Sequence, residues 1–260
     1  MRGRSGVILR FAFAAVAALA CCIAATAAAA PEEIQVYLDD VNEPRELTLE
    51  MHANYVAEGF RTPDYPGQLP THHVLQVTPE FSYGIAKNWD AGLYLLSARA
   101  SDGTLYGNGA KLRLKYIAPS AGAFFWGVNF ELGRTSHRVT ESNDNFELRP
   151  ILGWRGGAWL VALNPIIDAA LSGGTSREPV FAPALKVSRT VAEGVQLGFE
   201  HYAEIGPIHH IPDFNQQNHM LFGALDVQKG ALDLNFGVGR GLTSASEKWV
   251  VKMIVGIPFR

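Results

Sequence analysis

The chain has 260 residues, of which 48% are hydrophobic and 18% charged, and its formal net charge is −3. This balance excludes a basic nucleic-acid-binding protein and a highly charged disordered chain, so we predict no nucleic-acid partner. The 26 glycines and the 10% aromatic content favour a β-rich protein with many tight turns. No run of about 18 apolar residues follows residue 30, which argues against a membrane-spanning helix in the mature chain.

Residues 1–29 have the pattern of a secretory signal peptide. Three arginines precede an apolar run from Phe11 to Ala24, and small residues follow up to Ala30. Cleavage after Ala27 or Ala29 fits the small-residue rule, and an uncleaved anchoring helix is the alternative. We therefore predict an exported domain over residues 30–260.

Both cysteines, Cys21 and Cys22, fall inside this predicted signal peptide. The mature chain would then have no disulfide and no cysteine-based metal site. Lipidation at Cys21 is a minor alternative. Cleavage would also remove three arginines and no acid, so the formal charge would become −6.

From residue 47 onward, apolar and polar residues alternate in twelve segments. In the fourth segment, for example, Lys111, Arg113 and Lys115 alternate with apolar residues. A period of two predicts strands with one apolar and one polar face, and about ten residues is the length of a tilted membrane strand. The segments cover 47–56, 75–83, 91–96, 110–116, 124–132, 146–155, 161–168, 181–188, 195–204, 221–227, 232–238 and 249–259, and those at 91–96 and 221–227 are the weakest.

The connections between these segments alternate between short turns and long polar loops. The longest loops are 57–73, 134–144 and 205–217. Aromatic residues on the apolar face gather near the short turns, as in the aromatic belt of a membrane interface. We predict an all-β fold: a transmembrane antiparallel up-and-down β-barrel of about 12 strands, with a soluble sandwich or lipocalin-like barrel as the alternative.

Two features do not follow from this pattern. Four prolines lie on the apolar face of predicted strands, where they remove hydrogen-bond donors, and bulges or strand ends could accommodate them: Pro79, Pro150, Pro165 and Pro183. Residues Ile34 to Leu38 precede the first strand, and we expect them to form a short extra strand or to tuck inward on the periplasmic side.

The C-terminal segment also carries a family resemblance. The segments TPEFSYGIAKNWDAGLYL (Thr78 to Leu95) and KWVVKMIVGIPF (Lys248 to Phe259) resemble the outer-membrane barrels grouped under the meta-pathway of phenol degradation. The chain ends in alternating apolar residues with an aromatic at Phe259, as such barrels do, although Arg260 follows. The resemblance implies an outer-membrane channel for aromatic or other small solutes, and it supplies no catalytic residue.

The polar faces of the strands should line the lumen. The candidate pore-lining residues are Glu50, His52, Glu80, Lys111, Arg113, Lys115, Glu131, Glu147, Arg149, Asp168, Lys186, Glu200 and Lys252. Lys111, Arg113 and Lys115 form a basic stripe that could select anions. Alternatively, acids such as Glu131 and Glu147 neutralise the stripe and the lumen is mostly filled.

Other candidate chemistry is weaker. His201 points outward on strand nine, where a membrane lipase would carry its histidine, but no serine shares its face nearby. The loop pairs His72-His73 and His209-His210, the latter with Asp213 nearby, could capture a metal, although adjacent side chains diverge and loop histidines are usually solvated. We therefore predict no catalytic residue, no metal site and no cofactor.

The prediction from sequence is a channel or transporter for small, aromatic or anionic solutes in the outer membrane of a Gram-negative bacterium. The expected partners are outer-membrane lipid, the barrel assembly machinery and an unidentified small solute. A closed structural barrel or an outer-membrane enzyme such as a lipid hydrolase is the alternative.

Overall fold

A computed structural model of the chain describes residues 32–173, 177–230 and 232–259. The predicted signal peptide lies outside these residues. Within them the strands are β1 (Leu47–Glu58), β2 (Leu75–Ala86), β3 (Trp89–Arg99), β4 (Leu105–Ile117), β5 (Phe124–Thr135), β6 (Asp144–Gly156), β7 (Trp159–Asn164), β8 (Ile167–Ala170), β9 (Val180–Phe181), β10 (Ala184–Ala192), β11 (Val195–Glu204), β12 (Gly206–Pro207), β13 (Asn218–Lys229), β14 (Leu232–Gly241) and β15 (Trp249–Phe259).

These segments form a closed barrel of twelve antiparallel crossings. Three crossings consist of two segments each, namely β7 with β8, β9 with β10 and β11 with β12. The ring closes because β1 pairs with β15, from Leu47 opposite Phe259 to Glu58 opposite Trp249. The predicted fold class is confirmed, and the weakest predicted segments are the complete strands β3 and β13.

Three of the four prolines lie side by side across neighbouring strands. The pairing of Leu152 with Leu163 and of Leu148 with Ile167 places Pro150 opposite Pro165. The flanking pairs on the other side place Pro165 opposite Pro183 in the same way. Because proline has no N–H to donate, the strands break at Pro165 and Pro183, whereas Pro79 and Pro150 remain inside β2 and β6. Interrupted strands therefore accommodate two of these prolines, and no bulge is used.

The outward face of the barrel is apolar. Leu112 and Leu114 are 62% and 38% exposed, while the basic residues between and beside them are largely enclosed. Near the short turns, Trp89 and Tyr116 have ring centroids 4.8 Å apart, and Trp126 lies 6.0 Å from Tyr116. An apolar band bordered by aromatic rings is what a barrel presents to lipid. Among the described residues, no helix is long and apolar enough to span a membrane.

The residues before β1 fold back into the barrel. We call residues 32–46 the N-terminal segment. It enters at the end of the barrel that carries the short turns, the short-turn rim, where Arg45 N–H donates to the carbonyl of Gly84 (2.7 Å). A Cβ on Gly84 would stand 2.0 Å from the Glu43 carbonyl oxygen, so glycine permits this close passage. Residues 34–38 tuck inward, which was one of the two alternatives predicted from sequence. They do not form the extra strand that was the other.

The long loops meet at the opposite end, the long-loop rim. The backbone N–H of Leu69 donates to the carbonyl of Arg138 (2.9 Å), which joins the β1–β2 loop to the β5–β6 loop. Lys248 N–H donates to the carbonyl of Glu58 (2.8 Å), which holds the β14–β15 loop to β1. The loops at this rim are thus tied to one another and to the barrel.

Candidate functional site: the barrel lumen

The structure places all thirteen candidate pore-lining residues on the inward faces of their strands. Nine of them are buried, namely His52, Glu80, Arg113, Lys115, Glu131, Arg149, Lys186, Glu200 and Lys252, and Lys111 is partly enclosed at 14% side-chain exposure. Glu50, Glu147 and Asp168 are half-buried. Their inward direction follows from the two-residue repeat, because their outward neighbours are apolar.

Every cation of the basic stripe has acidic partners. Arg113 Nη2 lies 2.9 Å from Glu80 Oε1 and 3.1 Å from Asp90 Oδ1. Lys115 Nζ lies 3.7 Å from Asp90 Oδ2 and 3.3 Å from Asp40 Oδ2. The basic stripe is therefore neutralised by nearby acids. Neutralisation was the alternative to anion selection in the sequence analysis.

The partners differ from those expected from strand order. Lys111 pairs with Glu32 of the N-terminal segment and only loosely with Glu131, at 3.8 Å. Glu147 pairs instead with Arg149, at 2.6 Å. The expectation that Glu131 and Glu147 neutralise the stripe is thus wrong for most of it, because acids from β2, β3 and the N-terminal segment come closer.

A second ion cluster lies across the lumen around Glu200. Its carboxylate accepts hydrogen bonds from Lys252 and from the Tyr202 hydroxyl (2.8 Å), and Lys186 Nζ is 3.0 Å away. Lys186 also lies 2.7 Å from Asp226. Because water cannot solvate these enclosed charges freely, each depends on its partners.

The N-terminal segment inserts an aromatic ring between the cations. The Tyr37 ring lies 4.2 Å from the Arg149 guanidinium and 5.5 Å from Lys115 Nζ. Its hydroxyl contacts the Tyr94 hydroxyl and donates to Glu131 (3.2 Å). Tyr37 therefore joins four strands to the segment, through cation–π contacts as well as hydrogen bonds.

Apolar lumen residues pack against the same segment. Val36 and Tyr37 pack in a buried cluster with seven residues of the barrel wall, namely Ile117, Phe125, Ile151, Leu160, Ala162, Ile166 and Ala184. Ile34 packs in a second buried cluster with Val56, Met220, Phe222 and Val250. The segment thus fills much of the lumen between two apolar patches.

A cavity of about 780 Å³ remains between the N-terminal segment and the far wall. Its inner end is lined by Gln35, Glu200 and Lys252, and its other end by Gly194 and Gly230 in two short turns. The cavity therefore extends from the middle of the lumen to the short-turn rim. Its charged lining suits water and polar solutes.

One lumen cluster combines the side chains that bind metals. His52 Nε2 lies 3.2 Å from Glu80 Oε2 and 3.8 Å from Glu50 Oε2. The other oxygen of Glu80 is engaged by Arg113 and by the Ser82 hydroxyl (2.9 Å). Hydrogen bonding and charge between His52 and the two carboxylates account for this arrangement.

The loop histidines make local contacts. His72 and His73 stack with ring centroids 3.9 Å apart, and Glu178 lies near His210 (3.5 Å) and accepts from the backbone N–H of His209 (2.7 Å). Among the described residues, none of these histidines joins a group of three metal ligands.

His201 faces outward as expected and contacts a second histidine. Its Nε2 lies 3.2 Å from His219 Nδ1, and Phe214 stacks on His219 at 4.6 Å. A loop also brings Ser246 here, which the sequence pattern did not indicate. Its hydroxyl bonds the backbone N–H (2.8 Å) and carbonyl (3.0 Å) of His219 rather than an imidazole nitrogen. These contacts hold the loop to β13.

One acid at the long-loop rim has an altered acidity. Glu247 is 3% exposed, and its carboxylate stands where a Cβ on Gly59 would lie, beside Thr71. Burial raises the pKa of Glu247 to about 7. This loop can therefore respond to pH near neutrality.

Several lumen residues were absent from the predicted set. Asp90 was detectable, because Trp89 and Ala91 beside it face outward. Asn164, which binds Tyr37, was detectable for the same reason, because it alternates with outward-facing residues. The acids of the N-terminal segment carried no periodic signal, since they precede the first strand.

The fold has counterparts among solved structures. An outer membrane channel from Pseudomonas putida F1 matches with a TM-score of 0.57 at 12% identity, over 87% of this chain and 100% of that chain. The KdgM porin matches with a TM-score of 0.55 at 12% identity, over 82% and 98%. The NanC porin matches with 0.53 at 10% identity, over 82% and 99%.

At this level of identity the likeness concerns the fold. No family model matches the sequence. No curated protein matches it.

Proposed function

We propose that this chain is a channel for small solutes in the outer membrane of a Gram-negative bacterium. The observation that carries the proposal is the charged lumen, with a cavity of about 780 Å³ that reaches the short-turn rim inside a barrel with an apolar outer face. Buried charges are costly in a barrel that serves only as a scaffold, whereas a conduit for polar solutes needs them. The likeness to channel and porin structures and the resemblance to the phenol-degradation barrels support the same proposal.

The proposal includes the partners that such a protein needs. The signal peptide pattern would direct export, and the barrel assembly machinery would insert the strands. Outer-membrane lipid would then cover the band that contains Leu112 and Leu114, because an exposed apolar surface of this extent is unfavourable in water.

A closed structural barrel is the second candidate. The packing of Val36 and Tyr37 against seven lumen residues favours it, because the segment occupies space that a solute would cross. The neutralised basic stripe favours it as well.

Conductance separates these two functions. The purified full-length barrel is reconstituted in planar bilayers under a KCl gradient. Stepwise current increments with a defined reversal potential are expected of a channel. Intact, heat-modifiable barrels that insert but carry no steps, under KCl or after addition of small carboxylates, would establish the closed barrel.

A further inference from the structure

The N-terminal segment carries six acids, and four of them each reach a different cation of the lumen. Glu32 pairs with Lys111, Glu33 with Arg149 (3.4 Å), Asp39 with Arg155 (2.5 Å) and Asp40 with Lys115 (3.3 Å). These cations lie on β4 and β6. Two of these acids precede the apolar stretch 34–38 and two follow it, so the segment places carboxylates at both ends of the part of the lumen that this stretch fills.

The segment is held as a bound ligand is held and not as part of the sheet. None of the described backbone–backbone hydrogen bonds involves residues 32–42. Its backbone is bound by lumen side chains instead: Lys252 donates to the Ile34 carbonyl (3.0 Å) and Arg149 to the Gln35 carbonyl (3.3 Å). The wall around it is complete without it, because every strand finds its partners in the ring.

Departure of the segment would leave four cations of the lumen with fewer acidic partners. Four negative charges would leave, whereas the lumen cations remain on their strands. Lys111, Lys115 and Arg149 would keep one strand acid each, at 3.8, 3.7 and 2.6 Å. Arg155 has Asp39 as its only partner among the described ion pairs. Arginine and lysine in a partly enclosed, low-dielectric site attract carboxylates strongly.

We propose that residues 32–41 occupy a binding site for an acidic, carboxylate-bearing solute and compete with it inside the lumen. The inference rests on the proposed channel function and adds the solute class and its regulation. The acids of the segment stand where carboxylates of the solute bind, and the cavity at the short-turn rim provides space into which the segment can move. An acidic solute therefore opens its own path by displacing the segment.

The displacement is tested by labelling one cysteine in the otherwise intact protein. In Val36→Cys the thiol belongs to the segment and is buried against the barrel wall, and both natural cysteines belong to the predicted signal peptide. The rate of reaction with a charged maleimide is measured in citrate, as a multivalent carboxylate probe, and in KCl of equal ionic strength. We expect citrate to accelerate labelling at least fivefold over KCl. Equal rates across the citrate range would overturn the proposal.

A second set of variants tests the competition. The first variant, Glu32→Gln/Glu33→Gln/Asp39→Asn/Asp40→Asn, leaves the lumen cations without these partners, so the segment should be released and citrate should bind at least tenfold more tightly. The matched control, Glu43→Gln/Glu46→Gln, removes acids of the same segment at the exposed rim. Identical citrate affinity in the two variants would contradict the proposal, and Asp40→Asn alone replaces the fourfold variant if that one does not assemble.

Parallel bilayer recordings keep the two hypotheses apart. If the barrel conducts KCl while citrate changes neither labelling nor current, the channel function stands and the acidic-solute site does not. If citrate displaces the segment but no variant conducts, the binding site stands and the channel function fails.

Discussion

Tyr37 and Asn164 are joined by two hydrogen bonds inside the barrel. The backbone N–H of Tyr37 donates to Asn164 Oδ1 (2.7 Å), and Asn164 Nδ2 donates to the Tyr37 carbonyl (3.1 Å). Asn164 is fully buried at the end of β7, immediately before Pro165 interrupts the strand. One side chain thus satisfies both backbone groups of a residue that has no strand partner.

This relationship predicts the effect of Asn164→Ala. The change leaves two buried backbone groups of Tyr37 without partners, at a cost of about 1–3 kcal/mol for each such group. Amide hydrogen exchange across residues 34–40 should accelerate at least tenfold. Asn235→Ala is the matched control, because the Asn235 side chain donates its hydrogen bonds to Glu200 and Asp226 on the lumen wall. Equal acceleration in both variants would argue against a specific role of Asn164.

The outward face should not tolerate charge near the middle of the membrane. Leu114 and Phe130 lie opposite each other on β4 and β5, and Leu112 lies one repeat away. Arginine at each of these positions should reduce the heat-modifiable folded fraction on electrophoresis, since the cost near the midplane is about 2–4 kcal/mol. Leu105→Arg, at the end of β4 near the long-loop rim, should assemble normally. Normal folded yields for the three central variants would contradict the membrane topology.

The buried cluster around Glu200 should depend on this one carboxylate. Glu200→Gln leaves Lys252 and Lys186 without their shared charge partner, and breaking a buried pair costs about 3–5 kcal/mol. The urea midpoint of unfolding in detergent should fall clearly. Glu58→Gln, which breaks the exposed pair with Lys248, should leave the midpoint unchanged because solvent screens that pair. Similar midpoints for both variants would show that the buried pair contributes no more than the exposed one.

The β14–β15 loop should loosen as pH rises toward neutrality. The pKa of Glu247 is about 7 in the folded protein and near its ordinary value of 4.5 when unfolded, so the folded state binds the proton more tightly. The resulting stabilisation is complete below about pH 4.5 and is lost as pH rises through 7, with a magnitude of about 3 kcal/mol. Hydrogen exchange of residues 242–248 should therefore accelerate between pH 5 and 8 beyond the intrinsic dependence on pH.

Glu247→Gln provides the control for this titration. The amide stays neutral, so the additional acceleration should disappear. If the variant keeps the same profile as the original protein, another group controls the loop.

The basic stripe and its acidic partners depend on one another inside the lumen. A basic stripe that selects anions predicts that changing Lys111, Arg113 and Lys115 to Gln shifts the reversal potential toward cations. The acidic partners of the stripe predict that the same change also lowers stability. Glu80 and Asp90 would lose their partners inside the lumen, so we expect a lower unfolding midpoint as well.

The sequence by itself determined the barrel and the two faces of its strands. The alternation around residues such as Lys111 and Leu112 is a local property, since successive side chains of a strand point to opposite sides. Strand number, the short and long connections and the inward direction of the thirteen candidate residues follow from that repeat.

Only the tertiary structure decided what fills the lumen. Glu32, Tyr37 and Asp40 precede the first strand and carry no periodic signal, yet they contact β3, β4 and β5 far along the chain. Which acid reaches which cation depends on the stagger of the strands and on the path of the N-terminal segment, and neither is a local property of the sequence. Partial neutralisation of the lumen cations by a segment outside the sheet is therefore a consequence of three-dimensional packing.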